Sequence, residues 1–268
     1  MILQRPHDSW ETFSFKNKRK AAEKARKRGM QSITKYVYTR GKHHLIAVDR
    51  TVCYAFKKKG ERSGQDMKTE VKETVKEVLI DLHQLVKGVE ECISMVQTAF
   101  IYDSSVILHD CRPRFERIRQ LEPRLTRELT ELARDNPDLK PYVSVPVHLL
   151  RIGESVKTLS EQTEKKVREN ILCSASAIDE LTFLFQRLME MLRPTADMIL
   201  VRNEILSKYV QESELGVERR ATEYATRHEE RLIEGVCLPL ASALYITVLD
   251  AVKSIAWHTK EIARKLRG

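Results

Sequence analysis

The side chains whose types suit them to chemistry are few and widely spaced. His258 follows Trp257 near the end of the chain, where it could ligate a metal with Asp250 or Glu261. Eight residues separate it from Asp250, and the plainer reading is a core histidine bonded to a neighbour. His43 and His44 would chelate a metal only if a third ligand arrived, and spacing identifies none. Cys53, Cys92, Cys111, Cys173 and Cys237 form no C-x-x-C pair and read as free thiols of a reducing cytosol. Serine, cysteine, histidine and acids are all present, but no local signature groups them into a nucleophile, base and orienting acid. Phosphate-cradling glycine loops, the G-x-S-x-G elbow and H-E-x-x-H are missing from the sequence. The expectation is a non-enzyme. Met189, Met191 and Met198, with Phe183 and Phe185, recur at helical spacing and read as core, with a peptide groove as the other reading.

One region has a different chemistry. Residues 1–64 hold 17 Lys and Arg against 5 Asp and Glu, leaving 30 against 33 for the rest, so the net charge of +9 is local to the start of the chain. Lys20, Arg26, Lys27 and Arg28 stand in a basic run from Lys16, followed by Tyr36, Tyr38, Tyr54 and Phe56. Cations that neutralise phosphate, beside rings on which bases stack, suit nucleic acid. The same cations suit an anionic membrane surface, and a solvated tail is the third reading.

The elements that position these groups are mostly helical. Nine glycines and eight prolines in 268 residues, with 32% charged and 6% aromatic side chains, argue against turn-rich β folds. The basic run at 17–28 reads as a short helix, residues 33–56 as short strands or a hairpin, and 60–64 as a linker. Beyond it a 3.6-residue period predicts a long helix from Gln65 to about His109. A second follows Pro113 and stops at Asn136-Pro137, and a third is capped at Ser144. The pattern then restarts with a helix from Ser176 to Tyr209, kinked at Pro194, a charged helix from Glu214 to Leu232, and a last one from Pro239 to Leu266. The apolar stripe of the last helix superposes on that of the third at an offset of 99 residues. This predicts an all-α chain built as a tandem pair of antiparallel three-helix bundles, 65–172 and 173–268, after a basic extension at 1–64. The longest uncharged run, Gly235 to Leu249, has 15 residues, short of a bilayer span. With a start that lacks a secretory apolar core, the expected location is the cytoplasm.

The third helix also carries a resemblance. Leu149-Leu-Arg-Ile-Gly-Glu-Ser-Val156, continuing to Glu161, resembles the L-E-R-I-G-D-H-A-x-N-I-A-E helix of the PhoU family of phosphate-uptake regulators, and Val248-Leu-Asp-Ala-Val-Lys-Ser-Ile255 resembles a diverged second copy. The resemblance covers residues 70–266 and implies a tandem three-helix fold. It implies a cytoplasmic, non-catalytic negative regulator of phosphate uptake, peripheral to the inner face of the membrane. Its partners would be a phosphate transporter, a phosphate-sensing histidine kinase, and a second copy in a homodimer. In the family, acids four apart ligate hard metal cations through oxygen. Each copy here keeps half of that pair, Glu154 in the first and Asp250 in the second, which implies at most a single divalent or iron-type ion held by Glu154 and Asp250, with His258 the further candidate ligand that the last helix itself offers. Arg151 would be an anion or partner contact. The alternative from another class is a nucleic-acid-binding protein with a basic arm and a helical dimerisation domain.

Overall fold

A computed structural model describes residues 35–39, 42–46 and 62–268, with side chains from residue 72 onward. It divides the chain into two units, Met1–Arg62 and Ser63–Gly268. In the first, β1 (Lys35–Thr39) pairs antiparallel with β2 (Lys42–Ile46), Val37 opposite His44 and Tyr38 opposite His43. The basic helix expected at 17–28, with Lys20, Arg26, Lys27 and Arg28, and the strand expected at 52–56 lie outside the described residues.

The second unit is six α-helices: α1 (Arg62–Tyr102), α2 (Arg112–Asp135), α3 (Val145–Arg168), α4 (Ala175–Leu200), α5 (Glu204–Ile233) and α6 (Pro239–Lys265). Proline stands in the first turn of α2, α3 and α6, where its missing N–H has no helical acceptor to lose. Ser174 caps α4 by accepting from the Ala177 N–H at 3.2 Å, and Asn203 caps α5 by accepting from Leu206 at 3.0 Å. Asp103, Asn170 and Gly235 adopt positive φ of 51°, 50° and 72° after α1, α3 and α5. Such left-handed residues turn the chain so that a following N–H reaches back to an open carbonyl, as Ser104 does to Ala99 at 3.2 Å.

Two boundaries and one cap differ from the sequence reading. The first helix stops at Tyr102, because Asp103 turns left-handed and accepts a bond from the Lys166 ammonium, and a 3-10 segment (Val106–Cys111) leads into α2. The helix expected to run from Ser176 to Tyr209 is two. Pro194 lies within α4, and the break falls at extended Val201, just before the Asn203 cap. Ser144 precedes α3 but makes no side-chain cap bond.

The helices form two three-helix repeats around one core, related by the same 99-residue offset in all three helices. Leu82 and Leu181, Leu85 and Leu184, Val89 and Leu188, and Ile93 and Leu192 are buried partners in α1 and α4. Ile118 with Val217 and Leu129 with His228 repeat the relation in α2 and α5, as do Leu149 with Val248 and Ser160 with Thr259 in α3 and α6. Two of the corresponding pairs, α1 with α4 and α3 with α6, pack antiparallel. Gln97 donates to the Thr182 carbonyl, Glu90 pairs with Arg193 and Phe100 meets Phe185 edge-on between α1 and α4, while Ser155 meets Ser254 between α3 and α6. Met191, Met198 and Phe185 are buried in this core.

By length and composition α6 could cross a membrane, unlike the expectation from uncharged runs alone, because its few charges cluster toward its end. Half of its apolar window is buried against the bundle, so its apolar stripe is accounted for by packing on α3, α4 and α5.

Candidate functional site: the face between the repeats

The antiparallel packing of α3 on α6 brings residues far apart in sequence to one face. Arg151, Glu154, Ser155 and Thr158 of α3 and Thr247, Asp250, Ala251 and Ser254 of α6 line an open groove of about 340 Å³. At its centre Ser155 Oγ lies 2.9 Å from Ser254 Oγ. These two serines are 99 residues apart and hold the same position in the two repeats, so their contact lies on the local two-fold axis. The motif helix itself is held close to α2 at Gly153, where an added Cβ would come within 3.2 Å of Ile118.

Charge is carried on the groove walls. Glu154 accepts from Arg151 Nη1 at 3.0 Å, both side chains more than half exposed, and Asp250 stands exposed on the opposite wall. The hydroxyls satisfy themselves along their own helices: Ser155 bonds the Arg151 carbonyl, Thr158 that of Glu154 and Thr247 that of Ala243. At the 99-residue register Glu154 corresponds to Lys253 and Asp250 to Arg151. Each of these two groove acids is therefore a basic residue in the other repeat, one position off the match that the motif alone suggests.

Glu154 and Asp250 thus share the groove, but His258 does not join them. It lies two turns further along α6, where its Nδ1 is 3.0 Å from Nδ1 of His148 on α3. The groove supplies two carboxylates, one of them committed to Arg151, and among the described residues no three or more His, Cys, Asp or Glu gather to hold a metal. This donor set does not supply the paired carboxylates per repeat that the resemblance implies for a metal cluster. Its mixture of one guanidinium, two carboxylates and hydroxyls suits recognition of a polar partner surface.

Burial pushes both imidazoles below their usual titration range. For His148, Lys265 and Arg264 add to the effect and Glu261 opposes it; for His258, His148 and Arg151 add to it and Glu261 and Glu154 oppose it. Glu261 is itself held low by Arg264, whose Nη2 donates to it at 2.8 Å. Trp257 completes the cluster, its ring 4.7 Å from His258 and 6.2 Å from His148.

A second polar assembly, which reading the sequence missed, binds the three helices of the second repeat together. Glu180 of α4, nearly buried, accepts a bidentate pair from Arg231 of α5 at 3.0 and 2.8 Å, and the Tyr245 hydroxyl of α6 at 2.5 Å. Beside it His228 stacks on Tyr245 and shares a 2.9 Å bond with Ser242. The only signal in the sequence is an acid set into an apolar stripe, between Ala177 and Leu184.

No protein-family model matches this sequence, and no curated protein sequence matches it. Solved structures do. PhoU from Pseudomonas aeruginosa superposes with a TM-score of 0.65 at 17% identity, over 74% of this chain and 96% of that one. The phosphate transport system regulatory protein PhoU from Streptococcus pneumoniae superposes at 0.64 and 11% identity, over 73% and 94%. The chain has a PhoU-like fold. Its helical unit therefore accounts for nearly the whole length of those proteins, as expected from the Arg151-Ile-Gly-Glu154 motif and the duplicated bundle. In this PhoU-like unit the motif helix α3 and its counterpart α6 form the central seam, with Arg151 and Glu154 at its surface.

Proposed function

We propose that this protein is a non-catalytic negative regulator of phosphate uptake that works by contact with a phosphate transporter or its sensor histidine kinase. The observation that carries the proposal is the superposition on two PhoU structures over more than nine-tenths of their length. The groove between α3 and α6 supports a contact mechanism: it is open, its hydroxyls are satisfied locally, and its exposed Arg151, Glu154 and Asp250 offer charges of both signs to a protein surface. On this reading the protein acts in the cytoplasm at the inner face of the membrane, and the basic residues of 1–64 add attraction to anionic lipid.

The test is phosphate uptake and alkaline phosphatase activity in cells lacking the protein, grown in abundant phosphate. Derepressed activity that falls again when the full chain is restored, and stays high with an Arg151→Glu, Asp250→Lys variant that folds normally, supports both regulator and groove. Activity unchanged by loss of the protein overturns the reading.

A further inference from the structure

We propose that His148 and His258 form a two-imidazole site for a borderline divalent transition metal, which would clamp α3 to α6 across the seam between the repeats. The site is separate from the groove carboxylates and independent of any role in phosphate uptake.

The argument begins with spacing. Nitrogen ligands sit about 2.0–2.1 Å from zinc-sized ions. Two of them at the right angle of a square-planar or octahedral ion are then about 2.8–3.0 Å apart, against about 3.3–3.4 Å at a tetrahedral angle, and the two Nδ1 atoms are 3.0 Å apart. The helices thus hold the rings, 110 residues apart in sequence, at the separation of adjacent ligands on one ion. Without metal, that contact is a single hydrogen bond between one ring carrying Nδ1–H and one with a bare Nδ1. On binding, both rings are neutral imidazoles with the proton on Nε2. The donor ring exchanges its Nδ1 proton through water to Nε2, and no net proton is released when both start neutral.

The surroundings fit this exchange. Burial disfavours the imidazolium on both residues, so neither needs to lose a proton at neutral pH. The rings are only partly covered, so an ion can reach them and keep water in its remaining positions. The charged groups facing the pair are Arg151 and Glu154 on α3 and Glu261, Arg264 and Lys265 on α6, with each carboxylate paired to an arginine of its own helix. An imidazole pair at a right angle suits Cu²⁺ and Ni²⁺, which take square-planar or tetragonal geometry, and leaves Mg²⁺ and Ca²⁺ to oxygen ligands.

Trp257 makes the site readable. The chain has two tryptophans, Trp10 and Trp257, so a tag-free full-length Trp10→Phe protein reports from beside the pair. Titration with Ni²⁺ or Cu²⁺ is expected to quench its emission saturably at one ion per chain, with no response to Mg²⁺. His148→Gln and His258→Gln should each weaken binding by about 10- to 100-fold or more, since even outer partners of a metal site contribute that much. Glutamine keeps a hydrogen bond available, and thermal melting of each variant checks that it folds. A measurement on the unsubstituted protein needs no variant: pulsed paramagnetic resonance of the Cu²⁺ adduct should show two coordinated imidazoles. Quenching that never saturates, binding unchanged in either glutamine variant, or a copper signal with fewer than two imidazoles would overturn the proposal.

Discussion

Replacing Glu180 by glutamine removes one negative charge from the junction of α4, α5 and α6 and leaves the Arg231 guanidinium without its counter-ion. The side chains are 9% and 16% exposed, so little water is available to take over. Arg231 Nε already has no protein acceptor, which makes the bidentate contact with Glu180 its main source of compensation. Breaking a buried pair by removing one partner costs about 3–5 kcal/mol, and the residual exposure here places the cost near 3. The duplicated fold provides an internal control. Asp81 stands 99 residues earlier, at the same position of the first repeat, and also pairs with an arginine from the next helix, Arg124. That pair is 23% and 41% exposed, in the range where ion pairs contribute about 0–1 kcal/mol. Asp81→Asn should therefore cost about a third as much as Glu180→Gln or less. Equilibrium urea unfolding of the full chain at neutral pH, followed by far-ultraviolet circular dichroism, measures both. The double variant Glu180→Gln, Arg231→Gln should recover part of the loss, since it removes the orphaned charge. Equal costs for the two single variants, or a double variant no more stable than Glu180→Gln alone, would refute the reasoning.

Other perturbations have expected outcomes as definite. Gly153→Val puts in the first repeat the residue that the second carries at Val252, but against Ile118, and should cost about 1–3 kcal/mol by overpacking. Gly216→Ala, in the interior of α5 with open space around the added methyl, should stabilise the fold by about 0.5–1 kcal/mol, seen as a higher urea midpoint. Stability should fall on acidification below about pH 6.5, the unfolded-state value for histidine. His148, His228 and His258 are all held lower than that in the fold, so the unfolded chain binds more protons. Their contribution is present above that pH and is lost as pH falls through the folded values. Urea midpoints at pH 7.5 and 5.5 measure the effect, and His258→Gln should flatten it.

The sequence by itself determined the helices, their order and their duplication. Apolar side chains recurring every three or four residues define a face wherever the chain is helical, and that face must be buried whatever lies opposite. The offset of 99 was therefore readable from one pair of stripes, Val145 to Val167 and Leu244 to Leu266, and the other helices obey it. The motif helix was legible in the same local way, since Arg151, Gly153 and Glu154 lie within one turn. The ends of helices were less so. Whether Asp103 turns left-handed, or Asn203 rather than Pro194 divides the second repeat, depends on which carbonyls and ammonium groups come within reach once the bundle has packed. The side-chain pairs between helices were decided by tertiary structure alone. His148 with His258, Ser155 with Ser254, and Glu180 with Arg231 and Tyr245 are separated by 110, 99, 51 and 65 residues. No periodicity within a helix specifies which turn of another helix it will meet. That register follows from the antiparallel packing of α1 on α4 and α3 on α6, where large side chains fit past one another in few ways.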